Sequence, residues 1–206
     1  MLELGQVILG VRDLDAASRR MEGLGFTVLD GGVHPGLGTA NRLIPLGRQY
    51  LELLGVVDRA LAEAQWYGQS LLARIANGDR LVRWSLRTDQ IEKIASALGL
   101  VPERRRRIRP DGRPLTWRAA GLREAAAESW PPFFMQWDDP ADFPGALPAR
   151  HANGAQGVTW LEVATPDPAR LEWLRAGGDA PIRLVPGPPG LGRVAIATFG
   201  GELILG

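Results

Sequence analysis

One pattern, a strand followed by a helix and three more strands, occurs three times in succession along this chain, and such repetition narrows the fold before any single residue does. In the first unit Val7, Leu9 and Val11 alternate as a half-buried strand does, and Leu14, Ala17, Met21 and Leu24 then recur at helical spacing behind a cap at Asp13 or Asp15. Gly25 stops the helix. Phe26, Val28 and Leu29 give a second strand, the Gly31-Gly32 pair and the Gly36/Gly38 loop turn the chain, and strands over 41–46 and 50–55 follow around Gly47. The second unit has a strand at 81–88 and a capping box at Asp89 and Glu92. Its helix carries Ile91, Ile94, Ala95 and Leu98 on one face and ends at Gly99, and strands follow near 100–106, 114–120 and 133–138. The third opens at GVTWLEVAT, caps a helix with Asp167 and Pro168, and finishes in RVAIATF and GELILG. The closing strands YLELLG, FFMQWD and GELILG take equivalent places. The expected class is α+β, with repeated βαβββ modules.

Between the first two units, residues 58–78 read as a helical insertion capped by Asp58, with Leu61, Leu71, Leu72 and Ile75 as its apolar positions and Gly68 as the point where it bends or divides. Residues 139–156 are rich in Pro, Gly and Ala and read as a linker. The organisation expected is therefore 1–138 from two paired modules, a linker over 139–156, and a third module over 157–206.

With 206 residues, 45% hydrophobic and 23% charged, the chain can build a full core. A net charge of +1 gives no pull toward nucleic acid or membrane. The absence of cysteine excludes disulfides, thiolate ligands and thiol nucleophiles. No apolar run approaches the length of a membrane span, and the N-terminus has no basic region ahead of its short apolar run, so the expected location is the cytoplasm. The glycines of GLGTAN are spaced like part of a nucleotide-binding loop, but a strand follows them where a phosphate cradle needs a helix. Arginines at 104–107, 109 and 113 lie on a hairpin. Alternate ones face outward and guard its edges, leaving one or two inward ones to meet an anionic group.

The motifs VRDLDAA, LGF, GGVHPGLGTANRL and YLEL, then RIRPDGRPLTWR, PFFMQWDDP and HANGA, resemble the glyoxalase-like proteins of the vicinal oxygen chelate superfamily over nearly the whole chain. That resemblance implies two βαβββ modules whose sheets wrap into a cup. It also implies a divalent metal in the cup, held by a His on the first strand and an acid on the last strand of each module. Here Gln6 takes the place of the first-strand His and Glu52 matches the last-strand acid of the first module. In the second module Leu81, Val82 or Arg83 offers no ligand, and Gln136 stands where the second acid belongs. One carboxylate and two amides suit a transition metal poorly, so no metal or other cofactor is expected, and a divalent ion on Glu52 is disfavoured.

Glu52 then has two readings: an acid tied to a neighbouring Arg or Gln, or a general base whose pKa is raised by the apolar cup. His34 is the second catalytic candidate, since the loop that carries it has glycines that allow close approach to a ligand. Gln6, Asn41, Trp117, Gln136 and Trp137 are the expected ligand contacts, and seven tryptophans in the chain favour a flat, apolar pocket. Two functions fit. One is a lyase, isomerase or oxygenase of this superfamily acting on a small, partly apolar molecule; the other is a non-catalytic protein that binds or sequesters such a molecule. A homodimer is expected as well, because a lone third module exposes a sheet face and an edge.

Overall fold

The computed structural model describes residues 2–169, 171–172 and 178–206. The first unit runs β1 (Leu2–Gly10), α1 (Leu14–Gly23), β2 (Leu29–His34), β3 (Thr39–Pro45) and β4 (Tyr50–Val56). The insertion forms α2 (Arg59–Glu63) and α3 (Trp66–Ile75). The second unit runs β5 (Arg80–Arg87), α4 (Ile91–Leu98), β6 (Glu103–Ile108), β7 (Pro114–Ala120), α5 (Leu122–Glu128) and β8 (Phe133–Trp137). Two single-turn 3-10 helices, Pro140–Asp142 and Pro144–Ala146, follow. The third unit contributes β9 (Gly157–Ala164), β10 (Gly178–Asp179), β11 (Ile182–Leu184), β12 (Gly190–Thr198) and β13 (Gly201–Leu205).

β1 is buried almost throughout because it is paired on both sides, parallel to β4 and antiparallel to β5. The large sheet runs β10-β1-β4-β3-β2-β6-β7-β8-β5, and the β5–β1 pairing closes it on itself. In each of the first two modules the last strand lies parallel beside the first, β4 beside β1 and β8 beside β5. The modules meet again where β2 touches β6 through Val33 and Ile108. Gly32, with φ +143°, makes this seam possible, since a Cβ there would collide with the Ile108 carbonyl.

Strand alternation sorts the side chains into two cores. Ile8, Leu43, Leu54, Val82, Leu115, Phe133, Met135 and Trp137 fill the interior of the closed sheet. Val7, Leu9, Leu51, Leu53, Trp84, Leu86 and Phe134 face outward, where they meet Leu14, Ala17 and Met21 of α1 and Val158, Leu161, Val163, Val194 and Ile196 of the third unit. Asp13 is the cap of α1, its Oδ1 accepting from the Ala16 amide at 2.9 Å.

Several local expectations are corrected. Gly31 and Gly32 lie inside β2 and do not turn the chain, and His34 is the last residue of that strand. The insertion divides at Ala64–Gln65; Gly68 sits within α3, where a Cβ would collide with the Ala62 backbone of α2. Asp89 does not cap α4. The Gln136 Oε1 takes the Ile91 amide at 3.0 Å instead.

The third unit forms a sheet ordered β11-β9-β12-β13, so among the described residues GELILG is an edge strand paired only with β12, unlike YLELLG and FFMQWD. Most of the helix expected after Asp167 lies outside the described residues. One face of this sheet shares the outer core, and among the described residues β13 keeps a free edge. No helix among the described residues is long and apolar enough to cross a membrane.

Candidate functional site

Because Leu51 and Leu53 point to the outer core, the residue between them must point inward, and Glu52 enters the closed sheet with only 5% of its surface exposed. The same alternation on neighbouring strands brings Gln6 and Asn41 alongside it. The Asn41 Nδ2 donates to Glu52 Oε1 at 2.9 Å and the Gln6 Nε2 donates to Glu52 Oε2 at 3.2 Å, so both carboxyl oxygens are held by amides. The Tyr50 hydroxyl donates to Gln6 Oε1, and Arg107 Nη1 donates to Asn41 Oδ1 at 3.1 Å. Gly31 is required here, since a Cβ would collide with Asn41 Oδ1.

These groups line a chamber of about 40 Å³, together with His34, Tyr67, Trp117, Leu122, Phe133, Met135 and Trp137. Tyr67 comes from α3, with its ring under the Arg83 guanidinium at 4.5 Å and edge-on to His34 at 6.4 Å. Toward the opposite end of the sheet, Phe143 of the linker packs edge-on against Tyr50 at 5.7 Å and Trp137 at 6.3 Å, with Arg87 stacked on its ring at 4.2 Å. An ion pair from Arg109 to Asp142 ties the same segment to the turn that follows β6. The linker is therefore a strap across the chamber. Pockets of about 290 Å³ lie on either side, one bordered by Glu3, Arg87, Gln136 and Phe143 and the other by Leu43, Arg107, Arg109, Leu115 and Asp142.

Burial governs the ionisation of the site. Loss of water pushes the Glu52 carboxyl up, against the pull of the Asn41 hydrogen bond and of Arg107 and Arg83. Burial and the nearby Arg107 charge push His34 down to about 3, so its imidazole is neutral at neutral pH, with Nδ1 3.0 Å from Thr39 Oγ1. His34 can accept or donate a hydrogen bond but holds no proton to give as an acid. Burial raises both Tyr50 and Tyr67, which stay protonated.

Six of the seven residues singled out from sequence, Gln6, His34, Asn41, Glu52, Trp117 and Trp137, lie around the chamber. Gln136 does not. It is adjacent to Trp137 on one strand, so the two side chains leave opposite faces, and Gln136 caps α4. The inward positions of β8 are Phe133, Met135 and Trp137, and the inward position of β5 opposite Ile8 is Arg83. Sequence reasoning missed Tyr50 and left the inward arginine unassigned. Tyr50 is two residues before Glu52 and shares its face, and the same period selects Arg105 and Arg107 as the inward arginines of β6. Tyr67 arrives on an inserted helix and leaves no such signal. His151 is a clip outside the chamber, accepting the Thr27 amide on Nδ1 at 2.9 Å and donating from Nε2 to the Pro45 carbonyl at 2.6 Å.

Among the described residues, no three His, Cys, Asp or Glu side chains converge. The donors around Glu52 are amide N–H groups aimed at the carboxyl, with a guanidinium behind them. That set does not fit a divalent transition ion.

Residues 7–176 match a family model described as a glyoxalase-like domain. No curated protein matches the sequence. Among solved structures, a hypothetical protein from Staphylococcus aureus superposes with a TM-score of 0.70 at 15% identity, over 93% of this chain and 88% of that one. The Mn(II)-bound glyoxalase from Novosphingobium aromaticivorans gives 0.52 at 11% identity, over 98% and 81%. A mutant 4-hydroxymandelate synthase from Streptomyces coelicolor gives 0.51 at 16%, over 98% and 62%. At such identities the likeness extends to the fold.

Proposed function

We propose that this chain, which belongs to the glyoxalase-like domain family, binds a small, partly apolar molecule at its barrel chamber and takes a proton from it with Glu52, as a lyase or isomerase that does not use the metal of its fold relatives. The observation that carries this reading is the single carboxyl buried among aromatic rings, with burial raising its affinity for a proton. A carboxylate stripped of water is a stronger base than one in solvent; the two amides work against that gain but set its orientation in advance. In the step proposed, one Glu52 oxygen leaves its amide partner and accepts a proton from a C–H or O–H of the ligand. The electron pair stays on the ligand, as an enolate or alkoxide. Glu52 then returns the proton, or solvent exchanges it. His34 and the two tyrosines, all neutral, orient the ligand.

Acetoacetate and acetylacetone in D₂O provide the test, because each carries an acidic CH₂ whose exchange is read by proton NMR. The wild type should accelerate exchange, and Glu52→Gln should lose about 10² to 10⁴ of that acceleration. Undiminished exchange in the variant would remove Glu52 as the base. The alternative, a protein that binds or sequesters without turnover, is favoured by one feature: both Glu52 oxygens already have partners. Tight binding with no exchange of either compound would select it.

A further inference from the structure

Seven buried side-chain polar atoms lack a partner among the described residues, and six of them belong to Arg83, Ser85, Arg105, Arg107 and Arg109. Arg83 and Ser85 lie on the inner face of β5, Arg105 and Arg107 on that of β6, and Arg109 just past its end; Arg107 lines the chamber itself. Buried donors are ordinarily satisfied, so unsatisfied guanidinium N–H groups inside the closed sheet call for an acceptor that arrives from outside. The charges point the same way. Arg105 is paired with Glu103 and Arg109 with Asp142, but Arg83 and Arg107, 0% and 5% exposed, have no carboxylate within ion-pair distance among the described residues. Arg83 Nη2 spends itself on the Ser70 hydroxyl at 2.9 Å, and Arg107 Nη1 on the Asn41 amide oxygen. His34 is neutral, leaving Glu52 as the one carboxyl among the groups that line the chamber. Two buried guanidinium groups against at most one carboxylate leave at least one uncompensated positive charge in a low-dielectric interior.

We infer that the ligand of this site is an anion, a small carboxylic acid or similar oxyanion, whose charged group is held by Arg107. This deepens the proposed function and rests on the chamber being the ligand site. Arg107 is the wall shared by the chamber and the outer pocket that contains Leu43, Leu115 and Leu147. An anionic group on its Nε side would lie next to Glu52 on one hand and next to apolar surface on the other. The ligand class is thus a short acid with an acidic C–H or O–H near its charged end and a modest apolar tail. Arg83, stacked over the Tyr67 ring, adds long-range positive potential without contacting the ligand.

Acetoacetate and acetylacetone have the same shape and differ in a carboxylate oxygen replaced by a methyl group, so their dissociation constants at pH 7, measured by titration calorimetry, isolate the charge. The wild type should bind acetoacetate at least about tenfold more tightly, Glu52→Gln should keep that preference, and Arg107→Gln should abolish it. If the Gln variant does not fold, Arg107→Lys replaces it; losing the planar fork should weaken acetoacetate about fivefold and leave acetylacetone unchanged. Equal affinities in the wild type, or a preference that survives at Arg107→Gln, would overturn the inference. Anion preference without proton exchange would refute only the role of Glu52, and exchange without anion preference only the role of Arg107.

Discussion

Replacing His34 with Gln tests the electrostatics of the chamber through stability alone. In the folded chain His34 is neutral down to about pH 3, whereas in the unfolded chain it titrates near 6.5. As pH falls below 6.5 the unfolded state takes up a proton that the folded state refuses, so stability falls with pH at about 1.4 kcal/mol per unit. Between pH 6.5 and 4.5 this approaches about 2.7 kcal/mol, and comparison with His34→Gln removes the carboxylates that begin to titrate at the lower end. Gln can still bond the Thr39 hydroxyl and has no proton to gain. Urea unfolding, followed by tryptophan fluorescence at pH 7.5, 6 and 4.5, should show the wild type losing about 2 to 3 kcal/mol relative to His34→Gln across that range. The difference cancels His151 and Glu52, which are common to both proteins. Parallel pH profiles would show that His34 is solvated or charged in the folded state, and the description of the chamber as buried and cationic would fall with it.

Glu52 should act in the opposite sense: its folded pKa is raised, so the wild type loses stability as pH rises from the unfolded value of about 4.5 through the folded one, while Glu52→Gln does not, and the variant gains on the wild type toward pH 8 in the same assay. Phe143→Ala empties the strap of a ring that is 3% exposed and should cost about 3 to 5 kcal/mol while making Trp137 more accessible to acrylamide quenching; a cost under about 1 kcal/mol would mean that the strap is not seated. Elemental analysis of protein purified without added metal should find zinc, nickel, manganese and iron well below stoichiometric, and a full equivalent of any of them would reverse the argument from the donor set.

The repeat of strand, helix and three strands was legible because alternation and helical spacing are local properties. β7 falls where its residues place it, and Asp58 caps α2 as read, its Oδ1 accepting the Leu61 amide at 2.9 Å. What escaped depends on contacts distant in sequence. GELILG looks like YLELLG, yet its place at a sheet edge is decided by β9 pairing with β11 and β12. Gly31 and Gly32 carry the composition of a turn, but their smallness serves Asn41 and Ile108, residues from other strands. At the site, the period of two was sufficient to select Glu52 and reject Gln136 once the inward face of β8 was known. The family resemblance places Gln136 by its position along β8, whereas the alternation of the strand turns its side chain to the outer face. Arg107 was visible only as one of a run of arginines. Its separation from the outward ones needed the hairpin register, in which Arg107 opposes Leu115 and Arg105 opposes Trp117. Phe143 gave no sign at all, since nothing in a Pro-rich linker announces that it folds back over a barrel.

A crystal structure of the wild type soaked with acetoacetate would test the account most directly. The account predicts density with its carboxylate within hydrogen-bond distance of Arg107 and its CH₂ facing a Glu52 oxygen, with Phe143 displaced or repacked to admit it. Acetoacetate ordered instead in the pocket of Glu3, Arg87 and Gln136, with Glu52 still held by Gln6 and Asn41, would contradict it.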